Sequence, residues 1–136
     1  MIIRKMRKDD LEHLVIQDEQ KHEICSVPYP EETSFTLEDD GKVIGIFGLY
    51  DTGYGRGQLF SYISKEAGSY MLKMVRQLKA LVDEGMKKTN IVRLEFTVLE
   101  DFEHGNRFAK MLGFECEGVM RKYYKGRNYK LYARVK

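Results

Sequence analysis

The chain has 136 residues, 43% of them hydrophobic, and a formal net charge of +2, which suits one domain with its own core. No apolar run reaches the roughly 20 residues of a membrane-spanning helix. Met1-Ile2-Ile3-Arg4 lacks the apolar stretch of a signal peptide, so a cytoplasmic location and no membrane partner are expected. Cys25 and Cys116 stand alone without Cys-x-x-Cys spacing and read as reduced, half-buried thiols, and no metal site is expected.

In chain order, Ile2 to Met6 reads as an opening strand. Asp9 and Glu12 have capping-box spacing ahead of Leu11, Leu14 and Val15, which predicts a helix from about residue 9 to His22. Cys25 to Thr33, with Pro28-Tyr29-Pro30, should be a loop. Ser34 to Glu38 and Lys42 to Tyr50 alternate around the turn Asp39-Asp40-Gly41 and predict a hairpin. Within it Gly45 and Gly48 should mark a bulge or a close backbone approach. The run Gly53-Tyr54-Gly55-Arg56-Gly57 resembles a phosphate loop, but a strand (Gln58 to Ile63) follows it rather than a helix. It is therefore a hairpin loop.

Gly68-Ser69 opens the longest predicted helix, residues 69–86. Its Tyr70, Met71, Met74, Val75, Leu78, Leu81, Val82 and Met86 recur at three- and four-residue steps, and Gly85 with Lys87-Lys88 closes it. From Ile91 to Leu99 apolar residues alternate with polar ones, as in a half-buried strand. A short helix then stops at Leu112-Gly113-Phe114, where Gly113 supplies the φ > 0 of a helix end. Glu115 to Lys136 reads as a hairpin turning at Lys125 to Asn128. Phe96, Val98, Met74, Leu78, Phe108, Leu112 and Phe114 are expected to share one core. The order predicts a single domain over 1–136 of mixed α/β (α+β) class, with helices on both faces of a sheet of six or seven strands.

Charge is unevenly spread. Acids dominate from Asp9 to Asp40, whereas every charged residue from Arg121 onward is basic. A basic tail with interleaved tyrosines is one sign of nucleic-acid binding. A solvated hairpin, or a face for an acidic partner or cofactor phosphates, is the reading preferred here.

The run RFAKMLGFECEGVMRKYYKGRNYKLYARV, residues 107–135, resembles the C-terminal part of the GCN5-related N-acetyltransferase (GNAT) superfamily, and residues 42–99 follow that family's order. Among relatives the chain looks most like small GNAT-like proteins of bacteriophages, some of them virion components. The resemblance implies a mostly antiparallel central sheet and acetyl-CoA as co-substrate, bound where strand 58–64 meets helix 69–86. Tyr62, Ile63, Ser64, Lys65, Gly68, Ser69 and Tyr70 are the cofactor-binding candidates. A helix start offers unpaired N–H groups and a partial positive charge to a pyrophosphate, and the preceding strand leads the pantetheine arm into the sheet. The family writes this loop as Arg/Gln-x-x-Gly-x-Gly/Ala. Here Gly68 and Ser69 fit, Tyr70 and Met71 stand near positions of small residues, and Lys65, Lys73 and Arg76 are candidate phosphate contacts.

By the same resemblance, a backbone N–H around Tyr62 to Ser64 would donate to the thioester oxygen, and Tyr29 would lie on the acceptor side, with a packed loop aromatic as the alternative. Ala109 stands where the family commonly has the tyrosine that protonates the thiolate, and Asp101-Phe102 stand near a frequent asparagine. Glu95, Glu100 and His104 are candidate bases, with a solvated surface as the alternative for Glu95 and His104. Tyr123 and Tyr124 are candidate substitute acids, with burial against the sheet as the alternative, and alternation sends them to opposite faces. Glu95, Tyr123 and Tyr124 are the catalytic candidates. The implied function is acetyl transfer from acetyl-CoA to an amine of a protein or small molecule. The alternative is a GNAT-fold phage virion or host-interaction protein that acts by binding. Two copies would pair through the edge Leu131 to Val135.

Overall fold

Alternating segments become seven strands of one sheet, ordered β1-β2-β3-β4-β5-β7-β6: β1 Ile2–Lys5, β2 Ser34–Asp39, β3 Lys42–Gly53, β4 Arg56–Ile63, β5 Arg93–Leu99, β6 Glu115–Tyr124 and β7 Arg127–Val135. The α-helices among the described residues are α1 Asp10–His13, α2 Met71–Lys88 and α3 Glu103–Met111. This computed structural model describes residues 1–24 and 29–136, so Cys25 and the start of the proline loop lie outside the described residues. Cys116 is an exposed free thiol on β6, not the half-buried one expected. The chain divides into two compact units, Met1–Tyr50 with Leu59–Met71, and Asp51–Gln58 with Leu72–Lys136.

In the first unit β2 pairs antiparallel with β1 and with β3. Asp40 (φ 48°) and Gly41 (φ 76°) form a two-residue turn with two positive φ angles, which suits the twist of a hairpin. Leu37 faces Gly45 and Glu38 faces Val43, so Ile44 is an extra residue and the strand bulges there. At Gly48 a Cβ would lie 2.5 Å from the ring of Phe60 and 2.8 Å from the carbonyl of Thr33. Both glycines therefore do what their place in a strand predicts. A core of Leu14, Val43, Ile46 and Tyr62 collects Met6, Leu11, Ile16, Tyr29 and Phe60 around it.

The predicted helix over 9–22 is not there. Only α1 forms, Leu14 turns extended (ψ 126°), and Asp18–Glu23 is a 3-10 stretch. Asp9 makes no side-chain cap. The next residue, Asp10, is buried instead, and it accepts hydrogen bonds from Arg4, the Arg7 N–H and the Thr36 hydroxyl. Beyond it the carbonyl of Val15 accepts the Lys65 N–H at 2.9 Å and Ile16 bridges Ser64. A helix would have used those backbone groups internally, and pairing with the end of β4 takes them first.

In the second unit β5 alternates as predicted from Arg93 onward, with Leu94, Phe96 and Val98 buried, whereas Ile91 and Val92 precede the strand and Val92 is exposed. All seven expected core residues are buried, and the ring of Phe96 meets those of Phe108 and Phe114 at centroid distances of 6.4 and 6.1 Å. Helix α2 begins after a 3-10 turn (Gly68–Tyr70) and runs through Gly85 to Lys88, so Gly85 does not end it. Its buried stripe is Met74, Leu78 and Met86, narrower than predicted, since Leu81 is exposed. Gly113, at φ 90°, follows α3 as expected. The predicted loop at 53–57 tightens to Tyr54-Gly55, whose carbonyl at Gly55 accepts the N–H groups of Val92 and Arg93 at 2.7 and 3.2 Å.

Two expectations about the last hairpin fail. Leu131 to Val135 is no edge, because β7 lies between β5 and β6 and pairs with both. Tyr123 and Tyr124 do not separate to opposite faces, since both rings approach Tyr129, at 5.7 and 6.3 Å. The pairing of β6 slips between Met120 and Tyr124, and Lys122 takes φ 49° there, which breaks the alternation.

Candidate functional site

The end of β4 and the turn into α2 form a junction built almost entirely from backbone. The Ser64 N–H donates to the carbonyl of Ile44 (2.9 Å), and the Ser64 hydroxyl accepts the Glu66 N–H (3.0 Å). The Ser64 carbonyl accepts the Ala67 N–H, and that of Ala67 accepts the Tyr70 N–H at 2.8 Å. Ala67 is buried beneath the turn, while Gly68 and Ser69 are exposed above it. A Cβ on Gly68 would meet nothing within 4 Å, so the backbone stands open to a ligand. Gly68 and Ser69 open the 3-10 turn that leads into α2, and the first N–H groups of a helical turn have no partner within it.

The side chains around this turn are already engaged. Lys42 pairs with Glu66, and Lys65 pairs with Asp18 at 3.0 Å. The Tyr70 hydroxyl donates to Asp39 at 3.0 Å, and that hydrogen bond pushes its pKa up. An anion at Gly68-Ser69 therefore depends on amide groups and helix dipole more than on a free lysine beside them. Lys73 and Arg76 are exposed on α2.

Of the remaining cofactor candidates, Tyr62 is buried; its hydroxyl donates to the carbonyl of Glu23 (3.1 Å) and accepts from that of Tyr29 (3.3 Å). The Tyr29 ring packs at 5.0 Å from Phe60, so the acceptor-side candidate and Tyr62 share one aromatic cluster. Two of the expected oxyanion donors have partners. The Ile63 N–H bonds Gln20 Oε1 at 3.3 Å and the Ser64 N–H bonds Ile44.

The catalytic candidates belong to the second unit. Glu95 accepts from Arg93 Nε at 2.9 Å, and Arg93 also binds Glu117, so this carboxylate sits in a surface ion-pair chain. Glu100 accepts from Asn128 Nδ2 at 3.4 Å, and His104 is exposed. Tyr123 and Tyr124 come together around buried Tyr129. Ala109 is fully buried.

Two features escaped the sequence. Asn106, inside α3, donates to the carbonyls of Leu99, Glu100 and Phe102 and accepts from the Tyr132 hydroxyl at 2.7 Å. It pins the β5–α3 turn, and an asparagine in a helix interior was the available signal. Gln17 and Gln20 bind the backbone of β4 and carry no periodic mark.

Over residues 3–131 the sequence matches the Acetyltransferase (GNAT) domain, and the chain belongs to that family. Solved structures agree in fold. Ard1 from Thermoplasma volcanium superposes with a TM-score of 0.74 at 17% identity, over 98% of this chain and 96% of that one. Ribosomal-protein-alanine N-acetyltransferase from Brucella melitensis gives 0.72 at 13% identity over 100% of both chains. RimL, a ribosomal L7/L12 alpha-N-protein acetyltransferase in complex with coenzyme A, gives 0.62 at 16% identity over 75% of this chain and 60% of that one. These matches lend no support to the bacteriophage likeness. No curated protein matches the sequence. Among the described residues no helix is long and apolar enough to cross a membrane.

Proposed function

We propose that the protein is an acyl-CoA-dependent N-acyltransferase that moves an acetyl group from acetyl-CoA to an amine of a protein or small molecule. The observation that carries the reading is the exposed Gly68-Ser69 turn, open above its backbone, at the head of the 18-residue helix α2 in a chain of this family. A pyrophosphate fits such a turn because amide groups and dipole converge on it. The family match runs through both units, which supports reading residues 1–136 as one domain.

In the reaction the amine nitrogen bonds to the thioester carbon, the C–S bond breaks, the nitrogen loses a proton and the thiolate gains one. Buried Ala109 offers no proton. The hydroxyls of Tyr123 and Tyr124, or solvent, take that role, and Tyr29 lines the acceptor side. A second reading, a GNAT-fold protein that acts by binding alone, is favoured by one observation: the Ile63 and Ser64 N–H groups already have partners.

Thermal melting with acetyl-CoA separates the two readings. A ligand of the native state at a hundredfold excess over its Kd adds about 2.7 kcal/mol. Wild type should gain that stability, Ser69→Trp should lose the gain by covering the turn, and Tyr54→Ser in the hairpin turn should keep it. Gly55→Ala is no substitute for that control, since φ is +80° and a Cβ would lie 3.2 Å from the Asn90 carbonyl. No gain by wild type would transfer the argument to the binding-only reading.

A further inference from the structure

Near its end, β4 is paired along one edge by side chains that imitate a peptide. Successive strand residues turn their N–H and C=O groups to alternate edges. The Ser64 N–H bonds Ile44 of β3, so the groups of Ser61, Ile63 and Lys65 face away from β3. On that edge Gln20 Nε2 donates to the Ser61 carbonyl at 2.7 Å, and Gln20 Oε1 accepts the Ile63 N–H at 3.3 Å. Gln17 Nε2 donates to the Ile63 carbonyl at 3.2 Å, and the carbonyl of Val15 accepts the Lys65 N–H at 2.9 Å. One primary amide thus spans a C=O and an N–H two residues apart, the contact that a neighbouring strand would make. Among side chains of this length only glutamine can do so, because a glutamate cannot donate to Ser61 and a leucine can do neither.

We propose that Gln20, helped by Gln17, is an internal occupant of an amide-binding edge, and that a chain bearing amides must displace these two side chains to pair with β4. The inference rests on the acyltransferase reading, whose co-substrate carries two secondary amides in its arm. The exchange is nearly balanced, since each hydrogen bond lost to a glutamine is remade with the ligand. It spares the backbone of the segment: Leu14 stays in the core, Val15 keeps Lys65, and the Tyr62 hydroxyl keeps the carbonyl of Glu23. The two contacts at Ile63, at 3.3 and 3.2 Å, are the longer ones and yield first. The device selects for ligands with an amide in register with residues 61 and 63, and against thioesters of short, amide-free thiols.

Calorimetry with acetyl-CoA on wild type and Gln20→Ala tests this. Removing the occupant should tighten binding about three- to tenfold, the worth of roughly one neutral hydrogen bond. In wild type, the side-chain NH2 resonances of Gln20 should move toward free-glutamine positions on saturation, a readout that needs no variant to fold. Equal or weaker binding by a folded Gln20→Ala, or unmoved Gln20 resonances at saturation, would show Gln20 to be plain structural support and leave the acyltransferase reading standing. Absence of binding by both proteins would instead remove that reading and this inference with it.

Discussion

Removing the carboxylate of Asp10 should cost the fold more than loss of any exposed ion pair. Four hydrogen bonds converge on it: Arg4 Nη1 and Nη2 at 2.9 and 2.8 Å, the Arg7 N–H at 2.6 Å and the Thr36 hydroxyl at 2.7 Å. Its side chain is 3% exposed and that of Arg4 15%. Asp10→Ala leaves a shielded guanidinium and the Arg7 N–H short of an acceptor. Breaking a buried pair from one side costs about 3–5 kcal/mol, against about 0–1 for an exposed pair. Arg4 retains Glu38 at 3.1 Å, so the lower end of that range, about 3 kcal/mol, is expected from urea melts. Acid supplies a second arm. Burial alone would push the Asp10 carboxyl up, but the hydrogen bonds from Arg4, Arg7 and Thr36 overcome it and hold the pKa at about 2, below the ordinary 3.8. A pKa lowered by folding stabilises above the unfolded value and is lost as pH falls through the folded one. The gap is worth about 2 kcal/mol, present above about pH 4 and disappearing toward pH 2. Asp10→Asn should lack that limb. An alanine variant less than about 1 kcal/mol weaker, or an asparagine variant with the wild-type acid limb, would refute the reasoning.

Phe96→Ala should cost about 3–5 kcal/mol in the same melts, because the ring is enclosed by Phe108 and Phe114; a loss below about 1 kcal/mol would mean that those contacts carry little. Tyr123→Phe and Tyr124→Phe keep the rings around Tyr129 and remove one hydroxyl each, so one of them should lower kcat with acetyl-CoA affinity unchanged. Full turnover in both would eliminate the substitute-acid role.

What the sequence displays depends on whether a residue's job is periodic. Leu94, Phe96 and Val98 repeat every second residue, so β5 and its facing were legible. Gly45 and Gly48 were legible because a strand tolerates glycine only for cause, and Gly68-Ser69 because a helix start with small residues is a local pattern. Residues 9–22 misled because Asp9 and Glu12 satisfy a helix rule, while the neighbouring Asp10 is claimed by Arg4 and Thr36 from other strands. Long-range partners of that kind leave no spacing to read. The same holds for the place of β7 between β5 and β6, a matter of pairing order, and for Gln20, whose side chain serves as if it were backbone. Tyr123 and Tyr124 were misread because strict alternation needs an unbroken register, and the pairing of β6 slips between Met120 and Tyr124.

The vacancy at Gly48 bears on how the chain finds its alignment. Phe60 lays its ring where a Cβ at position 48 would be, so that ring fits over Gly48 and over none of the two residues on either side of it. A slip of one residue would bring Phe47 or Leu49 beneath it, and a slip of two would bring Ile46 or Tyr50. Each wrong alignment collides, and a one-residue slip also turns the apolar side of the strand outward. Hairpins whose neighbours are all of middling size lack such a check and can settle one step off. Here discrimination between near-identical pairings comes from a missing side chain, and the aligned hairpin is favoured over each one- or two-residue slip.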